Sequence, residues 1–235
     1  MEQIITAGLK EMALPYPPEA PAKLAEYGRL LLEKNQVMNL TAIRDPEGVA
    51  RLHMLDSAAL LRCGDFANKT LIDVGTGAGF PGLALKLLVP SLQVTLLDSL
   101  NKRLDWLGEV SAALNLEQVR TIHARAEEQA LVPGDRDSFD FAAARAVAEL
   151  RILCELCLPF VKPGGYFLAM KGPDSEEELD KAASALKRLG GEIRQIVDYS
   201  IPGTEVKHRI ICVQTMTPTP KGLPRRWARI QKEAL

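Results

Sequence analysis

The chain lacks the marks of a secreted or membrane-spanning protein. Its 235 residues include four cysteines, Cys63, Cys154, Cys157 and Cys212. They are too few and too scattered for a disulfide framework in a chain of this length, which points to a reducing compartment. Every apolar run is cut by Pro, Gly or a charge, well short of the ~18 residues of a membrane span. The opening MEQIITAGLK carries an early acid and no long apolar stretch, so it does not read as a signal peptide. The expected location is therefore cytoplasmic. A large excess of one charge is also missing. The formal net charge is -1, so any affinity for nucleic acid must come from a local basic patch. The 47% hydrophobic and 25% charged residues fit an ordinary soluble globular protein, expected to act as a monomer, and the length allows one α/β domain with an attached subdomain or a single large domain.

The pattern along the chain changes near Lys69. Before it only helix-like spacings occur. Leu24, Tyr27, Leu30 and Leu31 share one helical face, and DPEGVARLHMLDSAALLRCG starts like a helix capped by Asp45 with Pro46 in its first turn. After it strands alternate with helices: TLIDV, FPGLALKLLV, LQVTLLD, NKRLDWLGEVSAALN, VRTIH, FDFAAA, AELRILCELCLPFV, then a KPGG turn, YFLAMK and SEEELDKAASALKRLG. This order predicts a mostly parallel seven-stranded sheet covered on both faces. Two last strands, around EIRQIVDY and HRIICVQ, have no helix between them and read as an antiparallel edge hairpin. The division expected is a helical subdomain over 1–68 and a doubly wound domain over 69–235.

LIDVGTGAGFPG carries the chemistry. Gly75, Gly77 and Gly79 follow the first strand, where glycines let a ligand approach the backbone at the switch point of such a sheet. Asp98 ends the second strand and suits the two hydroxyls of a ribose. Both features fit a dinucleotide or S-adenosylmethionine (SAM). Asp73, two residues before the first glycine, would repel a pyrophosphate but suit an ammonium group. Glu127, after the third strand, could accept from an adenine amine, and KPGG before a strand is a turn found in many SAM-dependent domains. SAM is the favoured reading. A dinucleotide cofactor, as in an NAD-dependent dehydrogenase, and a plain structural turn remain the alternatives.

The acceptor is narrowed by what is missing. No Asn/Asp-Pro-Pro-aromatic loop follows the fourth strand, where AAARAVAEL stands instead, and no cysteine lies beside a proline as a nucleophile for cytosine C5. An atom with a free lone pair and no proton to lose, such as guanine N7, needs only positioning. NLTAIRDPEGVARLHMLDSAAL, LIDVGTGAGFPGLALKLLVP, VTLLDSLNKRLDWLGEV, ARAEE, AAARAVAEL and KPGGYFLAMKG occur in that order between about Asn35 and Arg209. In this the chain resembles the RsmG (GidB) family of bacterial 16S ribosomal RNA methyltransferases. The resemblance implies a Rossmann-like class I fold, SAM as donor and N7 of guanine 527 of 16S rRNA, as RNA or small subunit, as acceptor. It also implies that Gly75 and Phe80 line the cofactor loop, Asp98, Ser99 and Leu100 the ribose side, and Ala126 and Glu127 the adenine. Arg145 would lie between cofactor and target.

Several residues carry a plain reading beside a functional one. Arg145 could anchor a structural ion pair, although an arginine in such a cleft is costly without a ligand or partner. Lys171 could meet a phosphate or be merely solvated, with a catalytic place for both basic residues as the functional reading. His53 could belong to an RNA entry surface with Asp56, or to helix packing. Cys154 and Cys157 form a CxxC inside an apolar helical pattern and read as core. From Ile201 to Leu235 seven Lys/Arg stand against two acids, an excess of five. With Trp227 among them, Arg225, Arg226 and Arg229 are candidates for phosphate contacts and base stacking. A solvated tail is the plain reading. A SAM-binding assembly factor without catalysis is the remaining functional alternative.

Overall fold

The computed structural model describes all residues from Met1 to Leu235. Two helices open the chain, α1 (Glu2–Glu11) and α2 (Ala20–Met38), and Asn39 ends the second in a left-handed conformation at φ 48°. The Asp45 carboxylate caps the next helix as expected, accepting from Gly48 N at 2.7 Å. That helix is not regular. It runs from α3 (Pro46–Val49) through a π-helical segment (Ala50–Leu55) and α4 (Asp56–Ala58) into a 3₁₀ turn (Ala59–Cys63). π-segments cluster at functional sites, and this one carries His53.

Seven strands follow: β1 (Thr70–Val74), β2 (Gln93–Asp98), β3 (Val119–His123), β4 (Phe139–Arg145), β5 (Val161–Lys171), β6 (Gly191–Ser200) and β7 (Lys207–Thr215). Their order across the sheet is β3-β2-β1-β4-β5-β7-β6. β1 to β5 run parallel to one another, and β7 runs antiparallel between β5 and β6. The last two strands thus form the antiparallel unit expected, with β6 at the edge. KPGG, expected as a turn before the fifth strand, lies inside β5. The crossovers are α5 (Gly82–Leu88), α6 (Asn101–Ala113), the short α7 (Ala126–Gln129), α8 (Leu150–Cys157) and α9 (Glu176–Leu189).

Period-two alternation in buried strands divides the core. Leu71 of β1 faces one layer with Ile5, Leu24 and Leu31, while its neighbour Ile72 faces the other with Leu153 and Leu186. The helices before Lys69 therefore cover one face of the sheet and share its core. Cys154 and Cys157 are fully buried in the opposite layer, with burial pushing the Cys154 thiol up to about 12. They are core residues, as their spacing indicated.

The basic tail is structured beyond what its charge indicated. It forms α10 (Trp227–Lys232), with Ile230 fully buried and Leu223 and Leu235 nearly so. Apolar residues among the arginines anchor it to the layer of α8 and α9.

Candidate cofactor and acceptor clefts

The carboxyl ends of β1, β2 and β4 open into a cleft of about 400 Å³. Gly75 and Thr76 both donate their N–H to Leu97 O, at 2.9 and 3.0 Å, which ties the glycine loop to the end of β2. Gly75 and Gly77 take φ of 72° and 57°, a region that L side chains avoid. Gly77 N donates to Asp98 Oδ2 at 2.9 Å, Leu100 N donates to Oδ1 at 2.9 Å, and Arg103 Nη1 lies 3.2 Å from Oδ2. A buried carboxylate is thereby held at the floor of the cleft.

Six of the residues expected at the cofactor line this cleft: Gly75, Gly77, Phe80, Asp98, Ser99 and Arg145. Leu100 supplies its backbone N–H to Asp98 while its side chain is exposed. Ala126 and Glu127 start α7 outside the lining, and the buried Glu127 carboxylate faces Arg125 Nε at 3.4 Å. Gly79 makes room for packing instead, because a Cβ there would run into Tyr27 Oη and Leu107.

Asp73 corrects the argument that favoured SAM over a dinucleotide. Its side chain is fully buried beneath the loop, where Oδ2 accepts from Thr76 Oγ1 at 2.7 Å and Gly82 N at 2.8 Å. It organises the loop and does not face the cleft, so it can neither repel a pyrophosphate there nor meet an ammonium directly. The cleft of about 400 Å³ falls within the range of small-ligand sites. The Asp98 carboxylate and the Arg103 and Arg145 cations match the hydroxyls and carboxylate of SAM, so the residues present fit this cofactor.

Asp73 Oδ1 has no hydrogen-bond partner, and burial pushes the carboxyl up to about 6 despite the bonds from Thr76 and Gly82. The ordinary value is 3.8. Between these two values the folded chain keeps a proton that the unfolded chain releases, so stability falls as pH rises through that window. Asp73→Asn should raise the melting temperature above wild type at pH 8, with the gain shrinking toward pH 4. A gain independent of pH would show that the carboxyl titrates normally.

Arg145 ends β4 and enters a dense network. Its Nη1 donates to Leu52 O at 3.0 Å and Asp56 Oδ2 at 2.8 Å, its Nη2 donates to His53 Nδ1 at 3.0 Å, and its guanidinium lies 5.3 Å from the Phe80 ring centre. The donor at Nδ1 fixes the His53 tautomer, so Nε2 carries the proton and donates to Thr41 Oγ1 at 2.8 Å. Burial, then Arg145, depress His53 to about 4, so it is neutral. Its ring stacks on Phe80 with centroids 4.6 Å apart. His53 is half-buried on the wall of the first cleft, where it holds Arg145, rather than on an open outer surface. Asp56, 1% exposed, also accepts from Tyr199 Oη and His208 Nδ1, each at 2.7 Å. Burial would raise its pKa, but His208, Arg145 and Tyr199 hold it below the usual value. Tyr199 and His208, on the two antiparallel strands, went unnoticed in the sequence because only the strand pairing brings them to Asp56.

Arg145 and Ala146 also border a second cleft of about 340 Å³, whose wall includes Lys171, Glu178 and His208. Lys171 is neither free nor solvated: Nζ donates to Ala148 O at 3.0 Å and pairs with Glu178 at 2.7 Å. Ala146, at the junction of both clefts, takes φ 56°, a conformation costly for a residue with a Cβ. The basic tail lies elsewhere. Arg226 and Arg229 are exposed, but Trp227 packs against the core with Arg125 5.0 Å above its ring, so it is not a free stacking surface. Arg225 is removed from the phosphate-contact set, because its side chain is 8% exposed and paired with the fully buried Glu155.

The model of the family described as GidB, rRNA small subunit methyltransferase G, matches residues 20–209. A protein named ribosomal RNA small subunit methyltransferase G from Clostridium beijerinckii is 42% identical over 99% of this chain and 98% of its own length. Its namesake from Acetivibrio thermocellus is 45% identical over 91% and 88%. Among solved structures, a SAM dependent methyltransferase from Aquifex aeolicus superposes with a TM-score of 0.55 at 19% identity, over 75% of this chain and 97% of that one, and shares the fold. The chain belongs to the rRNA small subunit methyltransferase G (GidB) family.

Proposed function

We propose that this protein is a cytoplasmic, monomeric enzyme that moves the methyl group of SAM to N7 of guanine 527 in 16S rRNA, presented as RNA or within the small ribosomal subunit. The observation that carries the reading is the meeting of two clefts at Arg145, one under the glycine loop and one beside it, in a chain of this family. When bound, SAM supplies an electrophilic methyl on sulfur. Asp98 accepts from ribose hydroxyls, while Arg145, braced by Asp56 and His53, keeps the boundary between the clefts in place. Guanine N7 has a lone pair and no proton, so no side chain has to act as a base, and the residues contribute position and exclusion of water.

The test is incubation with labelled SAM and small subunits from cells that lack this modification. N7 methylation leaves a fixed positive charge that weakens the glycosidic bond, so reduction followed by aniline should cleave the labelled RNA at guanine 527. Label in a cleavage-resistant product would assign a ribose or exocyclic acceptor. SAM binding without transfer to either RNA or subunits would favour an assembly factor.

A further inference from the structure

The second cleft is lined by two carboxylates with open oxygens, Glu178 and the exposed Asp174, and only Glu178 is held in place by the protein. Glu178, on α9, is fixed through a single oxygen: Oε2 accepts from Leu150 N at 2.7 Å and pairs with Lys171 Nζ at 2.7 Å. Lys171 is itself held by Ala148 O at 3.0 Å. Two donors on one oxygen orient the carboxylate while Oε1 makes none of these bonds. The cleft wall therefore presents a rigid acceptor, Oε1, beside a rigid cation, Lys171. Arg145 and Ala146 border both clefts, whereas Lys171 and Glu178 border only the second.

This pairing suits guanine. Guanine offers donors at N1 and the 2-amine next to an acceptor at O6, and adenine has no 2-amine; cytosine presents its 4-amine and O2 at a similar span, but a pyrimidine seated this way brings no N7 to the border with the first cleft. Side chains often read guanine by donating to O6 and N7, but a donor at N7 would occupy the lone pair that must attack. A carboxylate on the 2-amine recognises guanine from the far end of the purine and leaves N7 free. Enzymes that modify bases commonly read the Watson–Crick edge of an extruded nucleotide inside a pocket.

Resting on the methyl-transfer reading above, we propose that the second cleft receives the target base and that Glu178 selects guanine by accepting its 2-amine at Oε1, with Lys171 donating to O6 and N7 directed to the shared border at Arg145. Glu178 is then a specificity-determining residue whose role is separable from cofactor binding.

The experiment compares kcat/KM on small subunits reconstituted with guanosine or inosine at the target nucleotide, since inosine lacks only the 2-amine. A hydrogen bond to a charged group is worth about 1.5 to 3 kcal/mol, so wild type should favour guanosine by roughly 10- to 100-fold. In Glu178→Gln the amide oxygen replaces Oε2 toward Leu150 and Lys171, which turns an NH₂ toward the 2-amine. Transfer to guanosine should fall by about the same 10- to 100-fold, the guanosine-to-inosine ratio should collapse toward one, and SAM affinity should hold. Lys171→Gln should lower both substrates together, since both carry O6, and it provides a second reading should Glu178→Gln fold poorly. Equal loss on both substrates in Glu178→Gln, with the wild-type ratio preserved, would overturn the assignment and make Glu178 a support for Lys171. A wild type that does not discriminate against inosine would overturn it as well. Absence of any transfer by wild type to guanosine subunits would instead defeat the underlying methyl-transfer reading.

Discussion

Arg145→Ala should lose about 3 kcal/mol of stability and at least ~100-fold of methyl-transfer rate, and the two losses should be separable. The stability loss follows from Asp56, a carboxylate 1% exposed whose Oδ2 takes its hydrogen bond from Arg145. Removing one partner of a buried pair leaves an uncompensated charge and costs roughly 3–5 kcal/mol. Tyr199 and His208 still donate to Oδ1, which places the expected value at the lower end. The rate loss follows from position, since misplacement by about 1 Å at a reacting centre can cost ~10²-fold. Asp56→Asn in the Arg145→Ala background removes the stranded charge and should recover much of the stability, measured by denaturant unfolding, while the rate stays low. Arg145→Lys keeps the charge but not the planar fork that reaches Leu52 O, Asp56 and His53 together, so it should also be slow. Normal turnover in a folded Arg145→Ala variant would remove the arginine from the reaction. Full recovery of rate in the double variant would show that the carboxylate alone mattered.

This network also marks the limit of what the sequence makes legible. The sheet, its crossovers and the closing antiparallel pair follow from periodicity, because alternating strands and helices leave few topologies open. The glycine loop and Asp98 are legible for the same local reason: a turn after a strand and an acid at a strand end keep their places once the strand order is set. The place of Asp73 is not legible, because a position two residues before a glycine does not tell which face of the strand the carboxylate takes, and here it lies beneath the loop, bonded to Thr76 and Gly82. An amphipathic reading assumes a regular helix and puts His53 on an outer face, whereas a π-helical segment and the stack on Phe80 hold its ring half-buried at the cleft wall. Tyr199, His208 and Glu178 meet their partners across separations of 143, 152 and 28 residues. No local pattern encodes such pairings, and only β7 threading between β5 and β6 brings the first two to Asp56.

The tail provides the second large effect, and its arginines should divide into two classes. Arg225 donates through N, Nε and Nη2 to Glu155 at 2.9, 2.8 and 2.6 Å, and Glu155 is fully buried on α8. Arg225→Ala leaves that carboxylate with a single backbone donor, so a loss of about 3–5 kcal/mol is expected, read as a fall in the denaturation midpoint. Arg226 and Arg229 are exposed, and replacing both by Ala should change stability by no more than about 0.5 kcal/mol each. Their effect belongs to RNA binding. At about 0.7 per phosphate neutralised on a single strand, the double variant should flatten the log-log salt dependence by roughly 1.4 units. SAM affinity gives a further separation. Trp227 lies under Arg125 at 5.0 Å, directly before Ala126 and Glu127, so undocking α10 by Arg225→Ala reaches the side of the fold where the resemblance places the adenine. That variant should weaken SAM binding, whereas Arg226→Ala with Arg229→Ala should leave it unchanged. An unaltered salt slope in the double variant would make the exposed arginines merely solvated, and a fully stable Arg225→Ala would show that Leu223, Trp227 and Ile230 hold the tail without the ion pair.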